Sequence, residues 1–347
     1  MACTAGEPRR YDPLDVHEVK AGARLLFVSK GEDAAPTRYR ALQFFTLLRE
    51  AGFDPQHESG SGGLQSYLRV LKAARRSDIV VVLRKTYPLP LLWLLRRCAR
   101  KLVFDFDDAI FCNSDGSYSR TRMRRFAAMA RRCDHIFAGN SFLAEKARAF
   151  NASVSIVPTC LNTQKYDTPA VKPHDSIDLV WIGSKSTRKY LADALPALGQ
   201  AAGRVANLRL KIIADFDLPE APLPTVFIRW RDDTEAMELA SAHIGIAPMR
   251  DDDWSRGKCA LKVLQYMAAG LPVVSSNAGV NADAVSDGES GFLVDADEQW
   301  ADAIARLAED EALRARMGTA GRERVTDYAI EAVFARMQPI LARLAAD

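Results

Sequence analysis

Residues 258–276 read KCALKVLQYMAAGLPVVSS: a charged entry, a short amphipathic run, a glycine stop, and a proline leading into a buried strand. At helical spacing Leu261, Leu264 and Met267 or Ala268 form one apolar stripe, while Lys258, Lys262 and Gln265 share another face. The first turn of a helix exposes unpaired N–H groups and a positive dipole end. Lysines added there oppose the dipole unless an anion sits among them, which favours a phosphate site. A solvated lysine face satisfies the same spacing.

The helix-then-strand rhythm extends in both directions. Upstream, the apolar runs RLLFV (24–28), IVVVL (79–83), LVFDF (102–106), HIFA (135–138) and VSIVP (154–158) alternate with helical patterns such as RYRALQFFTLLREAG (38–52) and LQSYLRVLKAARR (64–76). After the turn-rich segment DTPAVKPHD, the strands DLVWI, LRLKIIA, TVFIRW, IGIAP, PVVSS and GFLV repeat the pattern. Uninterrupted β-branched runs between helices predict parallel sheets covered on both faces. The expected architecture is α/β: two doubly wound Rossmann-like domains facing a central cleft. We place a loose tail over 1–22, a first domain over 23–166, a linker over 167–175 and a second domain over 176–329. A final helix over 330–347, apolar at Val333, Met337, Ile340, Leu341 and Leu344, is expected to pack back toward the first domain.

Composition excludes several classes. No run of about 18 apolar residues could span a membrane, and the first residues lack the apolar core of a signal peptide. A cytoplasmic location is expected, with room for peripheral attachment at the inner membrane surface. The six cysteines stand singly without metal-ligand spacing, so neither a metal site nor a disulfide is expected. Residues 1–163 carry 26 Lys+Arg against 16 Asp+Glu, whereas the remainder carries 21 against 28. A basic half can attract nucleic acid, an anionic membrane surface or an anionic small substrate. The basic helical stretches 88–101 and 119–133 suit weak association with an anionic membrane surface, or simply a sheet-covering role with the basic face in water.

Residues 261–294, LKVLQYMAAGLPVVSSNAGVNADAVSDGESGFLV, resemble the donor-binding half of family-4 retaining glycosyltransferases of the GT-B fold. VSIVPTCLNTQKYD and GNSFLAEKARAF resemble the segments closing that family's first domain. The resemblance implies transfer of a sugar from a UDP- or GDP-linked donor to a glycan, lipid-linked or other hydroxyl acceptor. It implies retained configuration, no cofactor and no bound metal, and a place in surface polysaccharide or glycoconjugate synthesis; no nucleic-acid partner is expected. Loss of the sugar builds negative charge on the leaving diphosphate, so fixed cations and N–H donors are the main catalytic need. Lys258 and Lys262 are the candidates, aided by Gly183, Ser184, Lys185, Ser186, Thr187, Arg188 and Lys189, which end one strand and open a helix. Ser186 or Thr187 would equally serve as an N-cap. Leu261 and Gln265 complete the donor side, and Arg229 and Trp230 stand near the family's nucleobase pocket.

The chain also departs from the family pattern. Two glutamates with seven residues between them on the opening helix correspond here to Gly257 and Gln265; Gln265 can still hydrogen-bond a ribose diol, whereas Gly257 cannot replace its carboxylate. Asp253, in the acidic run 251–253, offers a substitute or is an ordinary acidic loop. A family arginine falls at Ser184. A family histidine after the strand LVFDF is replaced by Asp107 and Asp108. Because burying either carboxylate unpaired is costly, Asp107 is expected at the cleft as base or acceptor, with Asp108, Arg38 and Arg40 on the acceptor side; the alternative for Asp107 is an N-cap or a salt bridge with Arg120 or Arg122. Gly257 and the missing histidine keep open a non-catalytic nucleotide-sugar-binding protein, and the architecture also admits a nucleotide-sugar epimerase. No GxGxxG follows the first strand, which disfavours a dinucleotide-dependent dehydrogenase.

Overall fold

The computed structural model describes residues 22–113, 115–218 and 220–347. The expected tail, apart from Gly22, lies outside the described residues. Two six-stranded sheets organise the chain. The first holds β1 (Ala23–Ser29), β2 (Phe53–Ser59), β3 (Ile79–Leu83), β4 (Lys101–Phe106), β5 (His135–Ala138) and β6 (Val154–Ile156), in the order β2-β1-β3-β4-β5-β6. The second holds β7 (Ile177–Ile182), β8 (Leu208–Ala214), β9 (Thr225–Arg229), β10 (Ile244–Ala247), β11 (Val273–Ser276) and β12 (Gly291–Val294), in the order β12-β11-β10-β7-β8-β9. Every neighbouring pair is parallel.

Parallel strands covered by helices lose water on both faces, and the residues obey: every position of IVVVL in β3 is buried. Helices α3 (Gly63–Ala74), α4 (Leu89–Cys98), α5 (Arg120–Ala130) and α6 (Ser141–Arg148) cover one face of the first sheet. The other face is covered by α1 (Ala35–Arg40), α2 (Phe45–Glu50) and, from the far end of the chain, α14 (Ile330–Ala346). Val333, Met337 and Leu341 of α14 share a core with Leu25, Phe27 and Val81, so the last helix belongs physically to the first sheet. The second sheet is sandwiched between α7 (Arg188–Arg204) with α12 (Asp297–Glu309) on one side, and α8 (Glu235–Ala240) with α10 (Leu261–Ala268) on the other.

Two local expectations are corrected. Strand β2 was not foreseen: it is a polar edge strand, FDPQHES, paired on one side only, where Pro55 costs no interior ladder bond. The single helix expected over 38–52 is broken at Ala41, whose φ of −136° leaves the helical region; α1, a 3-10 turn at Leu42–Phe44 and α2 follow one another.

Both sheets reverse strand order at one point, between β1 and β3 and between β7 and β10. In open α/β sheets ligands bind beyond the carboxyl ends of strands at such a switch point. Ile182 and Gly183 at the end of β7, and Ala247 and Pro248 at the end of β10, line a cavity there.

Candidate functional site

The cavity, about 440 Å3, opens between the two sheets and suits a small-molecule ligand. Its floor follows from close packing after β7. A Cβ on Gly183 would stand 2.4 Å from the Trp181 ring, so only glycine lets the chain turn there. Ser184 and Thr187 line the cavity and also cap the next helix: the Thr187 hydroxyl receives the Ser184 amide (3.3 Å) and donates to its carbonyl (3.1 Å). Ser186 meets Ser184 at 2.9 Å but does not line the cavity. Lys185, Arg188 and Lys189 also lie off the lining; Arg188 covers the Phe216 ring and Lys189 the Tyr190 ring.

Helix α10 points its N-terminus at the cavity. Ala260, the residue before it, is left-handed (φ 52°), a conformation costing about 1–2 kcal/mol for an L-residue. This kink corrects the expectation that Lys258 and Lys262 share one helix face: Lys258 precedes the kink, and the two amines reach the cavity from separate backbone segments. Lys262 lies with Nζ 4.3 Å from the centre of the Trp181 ring. Among the described residues it has no carboxylate partner. Burial, helped by the neighbouring Lys258 charge, lowers its pKa to about 7. An unpaired cation beside unpaired N–H groups is the arrangement a phosphate would complete.

At the other end stands a residue that sequence reasoning missed. Glu235, 2% exposed, gathers four donors. One carboxylate oxygen accepts from Tyr166 Oη (2.6 Å), Gln265 Nε2 (3.0 Å) and Lys165 Nζ (3.4 Å); the other accepts from Trp230 Nε1 (2.6 Å). Trp230, Glu235, Gln265 and Leu261 all line the cavity. Tyr39 lines it too, its phenol pushed up to about 12 by burial and the Glu235 charge, so it remains a donor. In the sequence Glu235 is one acid among several at a polar helix start; its burial depends on Tyr166 and Trp230 arriving from elsewhere. Arg229 is exposed at the end of β9 and does not line the cavity.

Among the first-domain candidates, only Arg38 lines the cavity, stacked 5.6 Å from the Trp230 ring centre. Arg40 is corrected: it is 2% exposed and makes a two-pronged pair with Asp105 (2.9 and 2.8 Å), which removes it from any acceptor. Asp107 is likewise buried off the cavity, 3.2 Å from Arg84 Nε and accepting from Thr159 Oγ1 at 3.2 Å. Its partner is therefore Arg84 rather than Arg120 or Arg122, and it does not face the cleft. Asp108 also pairs with Arg84 and meets Lys258 Nζ at 3.0 Å, joining the two domains. Arg84 was another omission; its signal is only its place at the end of β3.

The acidic run is locally committed. Asp251 pairs with Arg256, Asp252 caps the short helix α9 (Asp253–Arg256), and Asp253 faces Lys146 at 3.6 Å. Asp253 does not line the cavity. Gly257 has a positive reason to lack a side chain: a Cβ there would fall 2.5 Å from Ala109 Cβ and 2.7 Å from its backbone nitrogen. Asn140 secures the same seam, donating to the carbonyls of Arg256 (3.0 Å) and Lys258 (2.8 Å). Among the described residues no group of three or more His, Cys, Asp or Glu is placed to hold a metal ion, and no helix is long and apolar enough to cross a membrane.

Comparison with known proteins places this geometry. Residues 176–310 match the family described as Glycosyl transferases group 1. Curated relatives match over shorter stretches: D-inositol 3-phosphate glycosyltransferase of Corynebacterium diphtheriae is 34% identical over 82 residues, 23% of this chain and 19% of the relative. That of Paenarthrobacter aurescens is 43% identical over 60 residues, 17% and 15% of the two chains. The chain thus matches about a fifth or less of the length of these relatives. Whole-chain similarity is structural. Sucrose-phosphate synthase from Thermosynechococcus elongatus superposes with a TM-score of 0.70 at 15% identity, over 93% of this chain and 99% of the other. Anabaena HepE, solved with UDP and glucose, gives 0.68 at 15% identity over 92% and 100%. A glycosyltransferase from Rickettsia africae gives 0.71 at 13% identity over 93% and 98%. The chain has the GT-B fold, and its residues 176–310 are similar to the Glycosyl transferases group 1 family.

Proposed function

We propose that this protein transfers a sugar from a nucleotide diphosphate sugar, UDP- or GDP-linked, to a hydroxyl acceptor with retained configuration and without a metal. The observation that carries the reading is Lys262: a desolvated amine without a carboxylate, at the start of α10, over the Trp181 ring and in the cavity that Gly183 and Ser184 also line. The diphosphate lies between them, held by the first-turn N–H groups of α10, Lys262 and Lys258. As the sugar leaves, these groups meet the charge that grows on the departing phosphate, and their positions are set beforehand by the Ala260 kink and the Trp181 ring. Trp230, Gln265 and Glu235 receive the nucleoside. Gln265 offers the ribose an amide, and Glu235 on another helix brings a carboxylate beside it.

Asp107 and Arg40 take no part in this scheme, because Arg40 is paired with Asp105 and Asp107 is buried off the cavity beside Arg84 and Thr159. Arg38 is the first-domain cation at the cavity and the one we assign to the acceptor side. The acceptor class, a glycan or lipid-linked hydroxyl in surface polysaccharide or glycoconjugate synthesis, follows from the family resemblance. A second reading, donor binding without turnover, is favoured by Gly257, where a packed Ala109 occupies the place of a family carboxylate. Incubation with UDP- and GDP-sugars and mixed acceptors, reading released nucleotide and product anomer, tests the proposal: donor binding with neither hydrolysis nor transfer in any combination would establish the second reading instead.

A further inference from the structure

Ten large apolar side chains stand exposed among the described residues, and half of them sit on two adjacent helices. Leu64 (70% exposed) and Leu68 (54%) project from α3; Leu89 (57%), Trp93 (54%) and Leu94 (40%) project from α4. The helices touch, the Tyr67 hydroxyl donating to the Leu91 carbonyl. Single exposed leucines need no explanation, whereas five large apolar side chains exposed on two touching helices do.

Charge says what covers it. Helices α3, α4 and α5, which pack side by side on the first sheet, contain eight Lys and Arg residues and no Asp or Glu. Carboxylates at the margins are already engaged: Glu58 with Arg69, Asp78 with Arg100, Asp134 with Arg96. Arg120, Arg122, Arg124 and Arg125 of α5 have no carboxylate partner among the described residues, and Arg97 stacks on the Trp93 ring. An apolar ridge flanked by free guanidinium groups matches the two layers of an anionic bilayer surface, acyl boundary and phosphate.

Position adds a second argument. Helices of a parallel α/β sheet begin where the strands end, the same end at which the cleft lies. Leu64, Leu68, Leu89 and Trp93 occupy the first halves of α3 and α4, and the free arginines the first half of α5. We propose that this face of the first domain seats the protein on an anionic lipid bilayer with the cleft mouth turned toward the membrane plane. The surface stands independently of the transfer reaction; combined with it, the acceptor would be a lipid-linked hydroxyl delivered from that plane.

The test is sedimentation with phosphatidylcholine vesicles, with and without about 30 mol% phosphatidylglycerol, at about 0.1 M salt. Binding should appear with the anionic vesicles, at least about tenfold above the neutral ones, and fall as salt is raised. Leu68→Glu with Trp93→Glu should cut it about tenfold or more while leaving the melting temperature and UDP binding at parent values. Arg122→Glu with Arg124→Glu, on a different helix, should do the same through charge. Trp93→Phe should keep binding and lose the blue shift of tryptophan emission that vesicles cause. Anionic vesicles that fail to bind the parent, or that bind parent and both double variants alike, would overturn the proposal. So would retention by RNA without vesicle binding. UDP binding read on the same samples keeps a failure of this surface distinct from a failure of the donor site.

Discussion

Lys258 Nζ lies 3.0 Å from Asp108 Oδ1, a bond between the two domains beside the cavity that Lys258 lines. The same ammonium sits 4.0 Å from the centre of the Trp254 ring. One face of the amine is thus held by a carboxylate and another by an aromatic ring, and under the proposed function a diphosphate would compete with Asp108 for it.

That competition sets the first prediction. Asp108→Asn should tighten UDP binding by about fivefold, the worth of a partly exposed ion pair of about 1 kcal/mol. Titration calorimetry checks it; weaker binding would mean that Lys258 does not reach the diphosphate.

Lys262 separates stability from binding. Replacing its desolvated amine by methionine should hold or raise the melting temperature, since no ion pair is lost, while UDP binding weakens by about tenfold or more. Parent-like affinity in Lys262→Met would remove the residue from the site.

The same amine makes binding depend on pH. Its pKa of about 7 in the free protein must rise when a diphosphate lies beside it. UDP affinity should therefore be flat below about pH 7 and fall by up to about tenfold per pH unit above it, with proton uptake on binding. Calorimetry in buffers of different ionisation enthalpy measures that uptake, and Lys262→Arg should abolish it.

Gly257 is held bare by Ala109. Gly257→Ala should destabilise the protein by about 1–3 kcal/mol through overpacking of the domain seam, and Gly257→Glu by more. Adding Ala109→Gly to Gly257→Ala should recover most of the loss in urea denaturation; an additive effect of the two would place the strain elsewhere.

Two buried histidines make the fold acid-sensitive. His135 and His243 are each lowered to about 4 by burial, with Arg343 adding at His135 and Lys172 and Arg314 at His243. The Asp178 amide donates to His243 Nδ1 at 3.0 Å, which requires that nitrogen unprotonated. With folded values below the unfolded 6.5, their contribution is complete above about pH 6.5. It is lost as pH falls toward 4, at up to about 1.4 kcal/mol per unit for each residue. Denaturation at pH 7 and pH 5 should show a smaller difference in His243→Asn than in the parent.

Most of the fold was legible because its cause is local. IVVVL, DLVWI and LRLKIIA are runs that a covered parallel strand requires, and all three are strands. FDPQHES escaped because an edge strand exposes one side and carries polar residues without penalty. At the site, Gly183, Ser184, Thr187, Trp230, Leu261, Lys262 and Gln265 line the cavity as their places at strand and helix ends suggested. Glu235 and Arg84 were hidden, since a buried charge is recognised only by partners that local pattern does not reveal.

By itself the sequence determined two parallel α/β units and the helix start that carries Lys262, because apolar periodicity records which side of each segment must lose water. Only the tertiary structure decided how the charges are spent. Arg40 and Asp105 are 65 residues apart, and Asp108 and Lys258 are 150 apart. At such separations nothing in the neighbouring residues marks a partner. Whether a carboxylate faces a ligand or an arginine is settled by tertiary packing, which leaves Lys262 on the cavity and Asp107 beside Arg84.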